Sequence, residues 1–127
     1  MRIILLFIYF INCNSFAINI IDLQNKNEYL NIINSRKNSV ILYTGAPCTN
    51  CQKIISKISL IDKTFVDDWN FYNIDVRKIF DICKSKNINY IPVYELYNKN
   101  RKKSNILDCL PFFEENFVQN IKVFENG

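Results

Sequence analysis

The sequence predicts an α/β fold, one mixed β-sheet with helices on both faces, and three observations carry that prediction. Strand-like and helix-like segments alternate through the first half of the chain. The run Val40-Ile-Leu-Tyr43 is apolar at every position, as expected of a central strand covered on both sides. The segment after it places Cys51, Ile54, Ile55, Ile58 and Ile61 on one stripe at helical spacing.

Taken in order, Ile18 to Leu23 reads as a short strand. Asn25 to Arg36 reads as a helix, with Tyr29, Leu30, Ile32 and Ile33 on its inner face. Asn38-Ser39 end that helix before the strand Val40 to Tyr43, and a helix starts at Cys48. Phe71 to Val76 is the third strand, and Arg77 to Lys86 a helix facing inward through Ile79, Ile82 and Cys83. Ile88 to Tyr97 reads as a strand whose Pro92 belongs at its entry, because proline cannot donate to a sheet ladder. Lys99 to Lys103 form a polar turn and Ser104 to Leu110 a last strand. Pro111 opens the final helix at the position proline tolerates best, followed by Phe113, Phe117 and Ile121. The order is β-α-β-α-β-α-β-β-α.

The chain's 127 residues suit one domain, and a composition 49% hydrophobic and 14% aromatic supports a packed core. Ile, Asn and Lys are over-used in a way that reads as base-composition bias rather than a binding signature. The net charge of +4 is mild and scattered, and the densest run, Arg101-Lys-Lys103, reads as a solvated turn, so no nucleic-acid role is assigned. There is no histidine, which excludes Ser-His-Asp and Cys-His catalysis and removes the commonest metal ligand. Asp67-Asp68, before Trp69, reads as a solvated loop rather than a cation site.

The chemistry is concentrated in TGAPCTNCQK, residues 44–53, where Cys48 and Cys51 sit at a strand-to-helix turn. A helix N-terminus offers free N–H groups and a positive dipole end, so Cys48 is favoured as a thiolate nucleophile. Cys51, one turn inside, is shielded, as suits a resolving thiol. These residues alone also admit half of a zinc site, which needs two further Cys or His ligands, and an inert structural disulfide. Cys83 reads as core packing on the inner stripe of its helix. For Cys109 both packing and a redox or partner-linking role stand open.

Cys-x-x-Cys on a helix N-terminus, with Ile91-Pro92 entering a strand about 40 residues later in this element order, resembles the thioredoxin family across residues 18–127. The resemblance implies a thioredoxin fold and thiol-disulfide oxidoreductase activity on protein thiols and disulfides, with Cys48 as nucleophile and Cys51 as resolving thiol. It implies a cis Ile91-Pro92 bond facing the disulfide and a client groove formed by Pro47, Ile91, Pro92 and Cys109. It calls for no cofactor and no metal. Thr49-Asn50 matches neither the Gly-Pro of reducing thioredoxins nor the Gly-His of protein disulfide isomerases. The family's two tryptophans before the first cysteine fall on Thr44 and Pro47. Its buried acid falls on Leu42, the partner lysine on Phe71 and the helix-kinking proline on Ser56. These departures point toward a specialised client or an accessory role in a protein-handling complex.

The N-terminus carries Arg2 and the nine-residue apolar run Ile3 to Ile11, broken by Asn12-Cys-Asn14 and followed by Ser15-Phe-Ala17. This is the layout of a cleavable signal peptide over residues 1–17, and nine residues fall short of the ~20 that a helical membrane span needs. Asn12 does not suit lipoprotein processing at Cys13. The expectation is a chain in the secretory pathway or secreted, in an oxidising compartment, since Phe124-Glu-Asn-Gly127 is no ER-retention tetrapeptide. Intact-mass measurement of exported protein is expected to show a mature chain beginning at Ile18; a mass that retains residues 1–17 would identify an anchor instead.

Overall fold

The computed structural model describes residues 17–100, 102–109 and 113–127. The segment 1–16 of the expected signal peptide lies outside the described residues, as do Leu110 and the expected helix start at Pro111.

Every side chain of the strand Ser39–Thr44 (β2) is buried, which fixes it at the centre. Parallel to it runs Asn70–Asp75 (β3), and beyond that Ile20–Leu23 (β1) forms one edge. On the other side Val93–Tyr97 (β4) pairs antiparallel with β2, and Leu107–Asp108 (β5) closes the second edge. The sheet order is β1-β3-β2-β4-β5, the mixed sheet expected from the sequence. Helices Thr49–Ser59 (α2) and Phe113–Asn126 (α4) cover one face. Their Ile54, Ile58, Phe113, Phe117 and Ile121 pack with Val40, Leu42, Phe71 and Tyr94 of the sheet. Helices Lys26–Ile33 (α1) and Phe80–Ser85 (α3) cover the other, through Tyr29 and Cys83 against Ile41, Tyr43 and Ile74. Among the described residues, no helix is long and apolar enough to cross a membrane.

Local chemistry moves several boundaries from their sequence-predicted places. Asn25 caps α1 by accepting from the Glu28 N–H, but the helix ends at Ile33, three residues before Arg36. The expected helix Arg77 to Lys86 splits, because Asp75 accepts from the Arg77 N–H and starts a 3-10 turn, Val76–Ile79, before α3. α3 then closes in a Schellman motif. Asn87 takes the left-handed conformation (φ 58°), and Asn87 and Ile88 donate to the Lys84 and Cys83 carbonyls. The segment Ile88 to Pro92 is not strand, so β4 starts only at Val93. The last strand shrinks from Ser104–Leu110 to two residues, because the Ser104 hydroxyl intervenes in the ladder, accepting from the Leu96 N–H and donating to the Asn105 carbonyl.

The face covered by α1 and α3 holds a polar cluster that the sequence reading did not foresee. Glu95, 2% exposed, accepts from the Tyr43 hydroxyl at 2.7 Å and from Lys86 Nζ at 3.0 Å. Lys86 also donates to the Tyr97 hydroxyl, and Tyr29 and Tyr43 share a hydrogen bond of 2.8 Å. Burial drives the Tyr29 phenol up to about 12 and those of Tyr43 and Tyr97 higher still, so all three stay neutral. Removing the cation from such a pair strands a buried carboxylate. Lys86→Met is therefore expected to lower the unfolding free energy by about 3–5 kcal/mol in urea titrations at neutral pH. A loss near zero would show that Lys86 does not carry the compensation for Glu95.

Candidate active site

Three strand ends converge on one edge of the molecule. Tyr43 pairs with Ile74 of β3 and Val93 of β4, and Val93 pairs in turn with Asp108 of β5. The loop that leaves β2 toward Cys48, Pro92 entering β4, and Cys109 leaving β5 therefore lie at the same end of the sheet. Cys48 is the N-cap of α2, in extended backbone (φ −151°, ψ 100°), and its Sγ accepts from the Cys51 N–H at 3.1 Å. Cys48 and Cys51 form a disulfide with Cα atoms 5.3 Å apart. Cys48 is half-buried and Cys51 is 2% exposed, so the first sulfur meets the surface and the second stays behind it.

The first turn of α2 holds no acidic residue to offset the dipole at Cys48. On reduction, the Cys51 N–H and the dipole both stabilise a Cys48 thiolate. Two cis peptide bonds flank the site, Ala46-Pro47 and Ile91-Pro92. Pro47 is exposed, Ile91 half-buried and Pro92 buried. Nothing in the sequence reading pointed to the cis bond at Pro47. Beside Ile91 lies an apolar cleft of about 410 Å³, walled by Val76, Phe80, Cys83, Ile88 and Tyr90, with Phe80 73% and Tyr90 59% exposed.

Among the described residues the other two cysteines, Cys83 and Cys109, are free thiols away from the surface. Cys83 is buried, and burial is the main cause that raises its thiol. Cys109 is placed at the dithiol end by its register, but it is 1% exposed within the core and burial pushes its thiol up to about 12. Its side chain packs in the core cluster beneath the dithiol end of the sheet. Among the described residues, no group of three or more Cys, Asp or Glu gathers to hold a metal ion, and Asp67 and Asp68 are exposed beside a polar cleft with Lys122.

The thioredoxin family profile matches residues 20–122. The chain belongs to the thioredoxin family. Among solved structures it is similar to thioredoxin from Trypanosoma brucei brucei, with a TM-score of 0.69 at 15% identity over 86% of this chain and 93% of that one. Oxidised thioredoxin from Plasmodium falciparum gives a TM-score of 0.68 at 19% identity, covering 84% and 98%. Thioredoxin from Malassezia sympodialis gives 0.66 at 18%, covering 83% and 92%. The comparison with curated protein sequences returned no match. With the thioredoxin fold and the Cys48–Cys51 disulfide together, the chain is a thiol-disulfide oxidoreductase.

Leu42 and Phe71, at the positions where the resemblance puts the family's buried acid and its lysine, are 1% and 3% exposed in one core cluster with α2. Thr44, at a tryptophan position, is buried and donates to Asn73 Oδ1 at 2.7 Å, and Asn73 donates to Asp22. Exchanging both members of a buried ion pair for packed hydrophobes can leave stability unharmed. What is lost is a carboxylate to take the resolving thiol's proton. A thiol at its ordinary pKa of about 8.5 is only a few per cent thiolate near neutrality, and apolar surroundings raise it further. Mixed disulfides on Cys48 are therefore expected to be long-lived. Release of a Cys48-linked peptide, timed from pH 6 to 9, is expected to quicken in Leu42→Glu/Phe71→Lys near pH 7. Equal rates in the folded variant and wild type would show that the missing base is not limiting.

Proposed function

We propose that the chain reduces or exchanges disulfides of protein clients in the secretory pathway. The reading rests on one observation: a half-buried sulfur at a helix N-terminus, hydrogen-bonded by the Cys51 amide, with the second sulfur buried behind it. In the reducing direction, the Cys48 thiolate attacks one sulfur of a client disulfide, and the other leaves as a thiolate that takes a proton from water. Cys51 then gives up its proton and attacks Cys48 Sγ. The client's bound sulfur leaves, the Cys48–Cys51 disulfide forms, and two electrons have passed to the client. The reverse sequence oxidises a client dithiol. Pro47, Ile91 and Pro92 supply the surface on which the client lies, with Cys109 filling the floor beneath. Restoring the dithiol takes a partner reductase, and running in reverse takes an oxidase. The apolar run Ile3 to Ile11 supports a secretory location.

A second reading is an accessory subunit that holds clients with little turnover, and the apolar Leu42 and Phe71 favour it. Insulin reduction by the wild type, against a Cys48→Ser/Cys51→Ser control, is expected to show turnover; none above the control would leave the holding role. Cys51→Ser, expressed in the native organism, is expected to trap clients covalently on Cys48, and their identity by mass spectrometry tests the secretory assignment.

A further inference from the structure

Tyr90 and Asp108 meet beside the segment that carries Pro92. Asp108 pairs with Val93, the residue after Pro92, and paired residues of neighbouring strands put their side chains on one face. Val93 belongs to the cluster under α3, whereas Cys109, next along the chain from Asp108, turns into the opposite core. The Asp108 carboxylate therefore stands on the α3 side of the sheet's edge, and it is exposed. Tyr90 reaches it from the loop before Ile91 and donates its hydroxyl to Asp108 Oδ1. That hydrogen bond is the first cause that raises the Tyr90 phenol, so the tyrosine stays the donor. Among the described residues, Asp108 Oδ2 takes no hydrogen bond and the carboxylate has no ion pair. Lys84, a cation on the wall of the neighbouring apolar cleft, is not paired with it. The Tyr90 ring is 59% exposed. An open carboxylate oxygen and an open aromatic ring, tied together by one hydrogen bond, are two groups that attract a cation.

We propose that Asp108, tied to Tyr90, is a specificity-determining residue for protein clients: it selects disulfides that carry an arginine or lysine beside the reacting cysteine. The inference rests on the client reading above and adds the charge that the client must bring. A client whose sulfur meets Cys48 while its chain lies along Ile91-Pro92 passes the strand pair of Val93 and Asp108. A guanidinium there can donate to Oδ2 and lie against the Tyr90 ring, whereas a carboxylate meets like charge. This choice runs against the molecule as a whole, whose net charge of +4 favours acidic partners at long range. A preference for basic clients then has a local origin.

The test measures second-order rate constants for oxidation of the reduced protein by hydroxyethyl disulfide and by three disulfide-linked peptide dimers. The dimers differ only in the residues flanking cysteine, which are arginine, glutamine or glutamate. Each rate is divided by that disulfide's rate with dithiothreitol, which removes the effect of flanking charge on the leaving thiol. Because an exposed ion pair contributes little, the arginine dimer is expected to react about threefold faster than the glutamine dimer, and the glutamate dimer about threefold slower. Asp108→Asn keeps an acceptor for the Tyr90 hydroxyl and is expected to abolish the lead of the arginine dimer. Asp108→Lys is expected to put the glutamate dimer first. Equal rates for the three dimers in the wild type, or a glutamate dimer that leads there, would overturn the proposal. So would an arginine lead that survives in either folded variant. Failure of both variants to fold assigns Asp108 to the fold and overturns it too. A wild type that takes the dimers no faster than hydroxyethyl disulfide removes the client reading and this inference together. One that favours all three dimers by the same factor removes this inference alone.

Discussion

The structure depends on β2. Its six side chains, Ser39 to Thr44, are all buried, and both hydrophobic clusters are built against it, one through Val40 and Leu42 and the other through Ile41 and Tyr43. A strand covered on both faces cannot slip by one residue without moving every side chain to the wrong cluster. That constraint sets the height at which the chain leaves the sheet, and so where Cys48 stands. β3 and β4 are pinned to the same strand, so the end of β3 and the entry to β4 are placed by it as well. The dithiol loop, the segment before Pro92 and Val76 therefore meet at one end of the sheet.

Much of this was legible in the sequence, for stated reasons. A run of four apolar residues before a Cys-x-x-Cys leaves little choice for either element, and the stripe from Cys51 to Ile58 gave α2 and its buried face. The positions of Leu42 and Phe71 in one core cluster followed from the family resemblance. Boundaries set by single hydrogen bonds were not legible. The Asp75 cap that turns the start of the expected helix into a 3-10 turn is a local contest between side chain and backbone, invisible to periodicity. The last strand was overestimated because the Ser104 hydroxyl takes the Leu96 N–H that a continuing ladder would use.

The candidate site divides in the same way. Cys48 and Cys51 were found by spacing and by their place on a helix. The cis bond at Ala46-Pro47 carried no signal, since a proline before a helix is ordinary. Cys109 follows β5 at the dithiol end of the sheet, and the sequence around it does not tell how deeply its sulfur is buried.

The polar cluster around Glu95 lies across the sheet from α2 and from Cys51. Buried charge has therefore not disappeared from this thioredoxin-family member; it sits on the side that does no chemistry. Where one ionisable group serves both the core and the reacting thiol, any change that alters the potential also alters the stability. Here the two properties rest on different groups separated by a layer of backbone. Electron transfer and core packing can then be adjusted through different side chains.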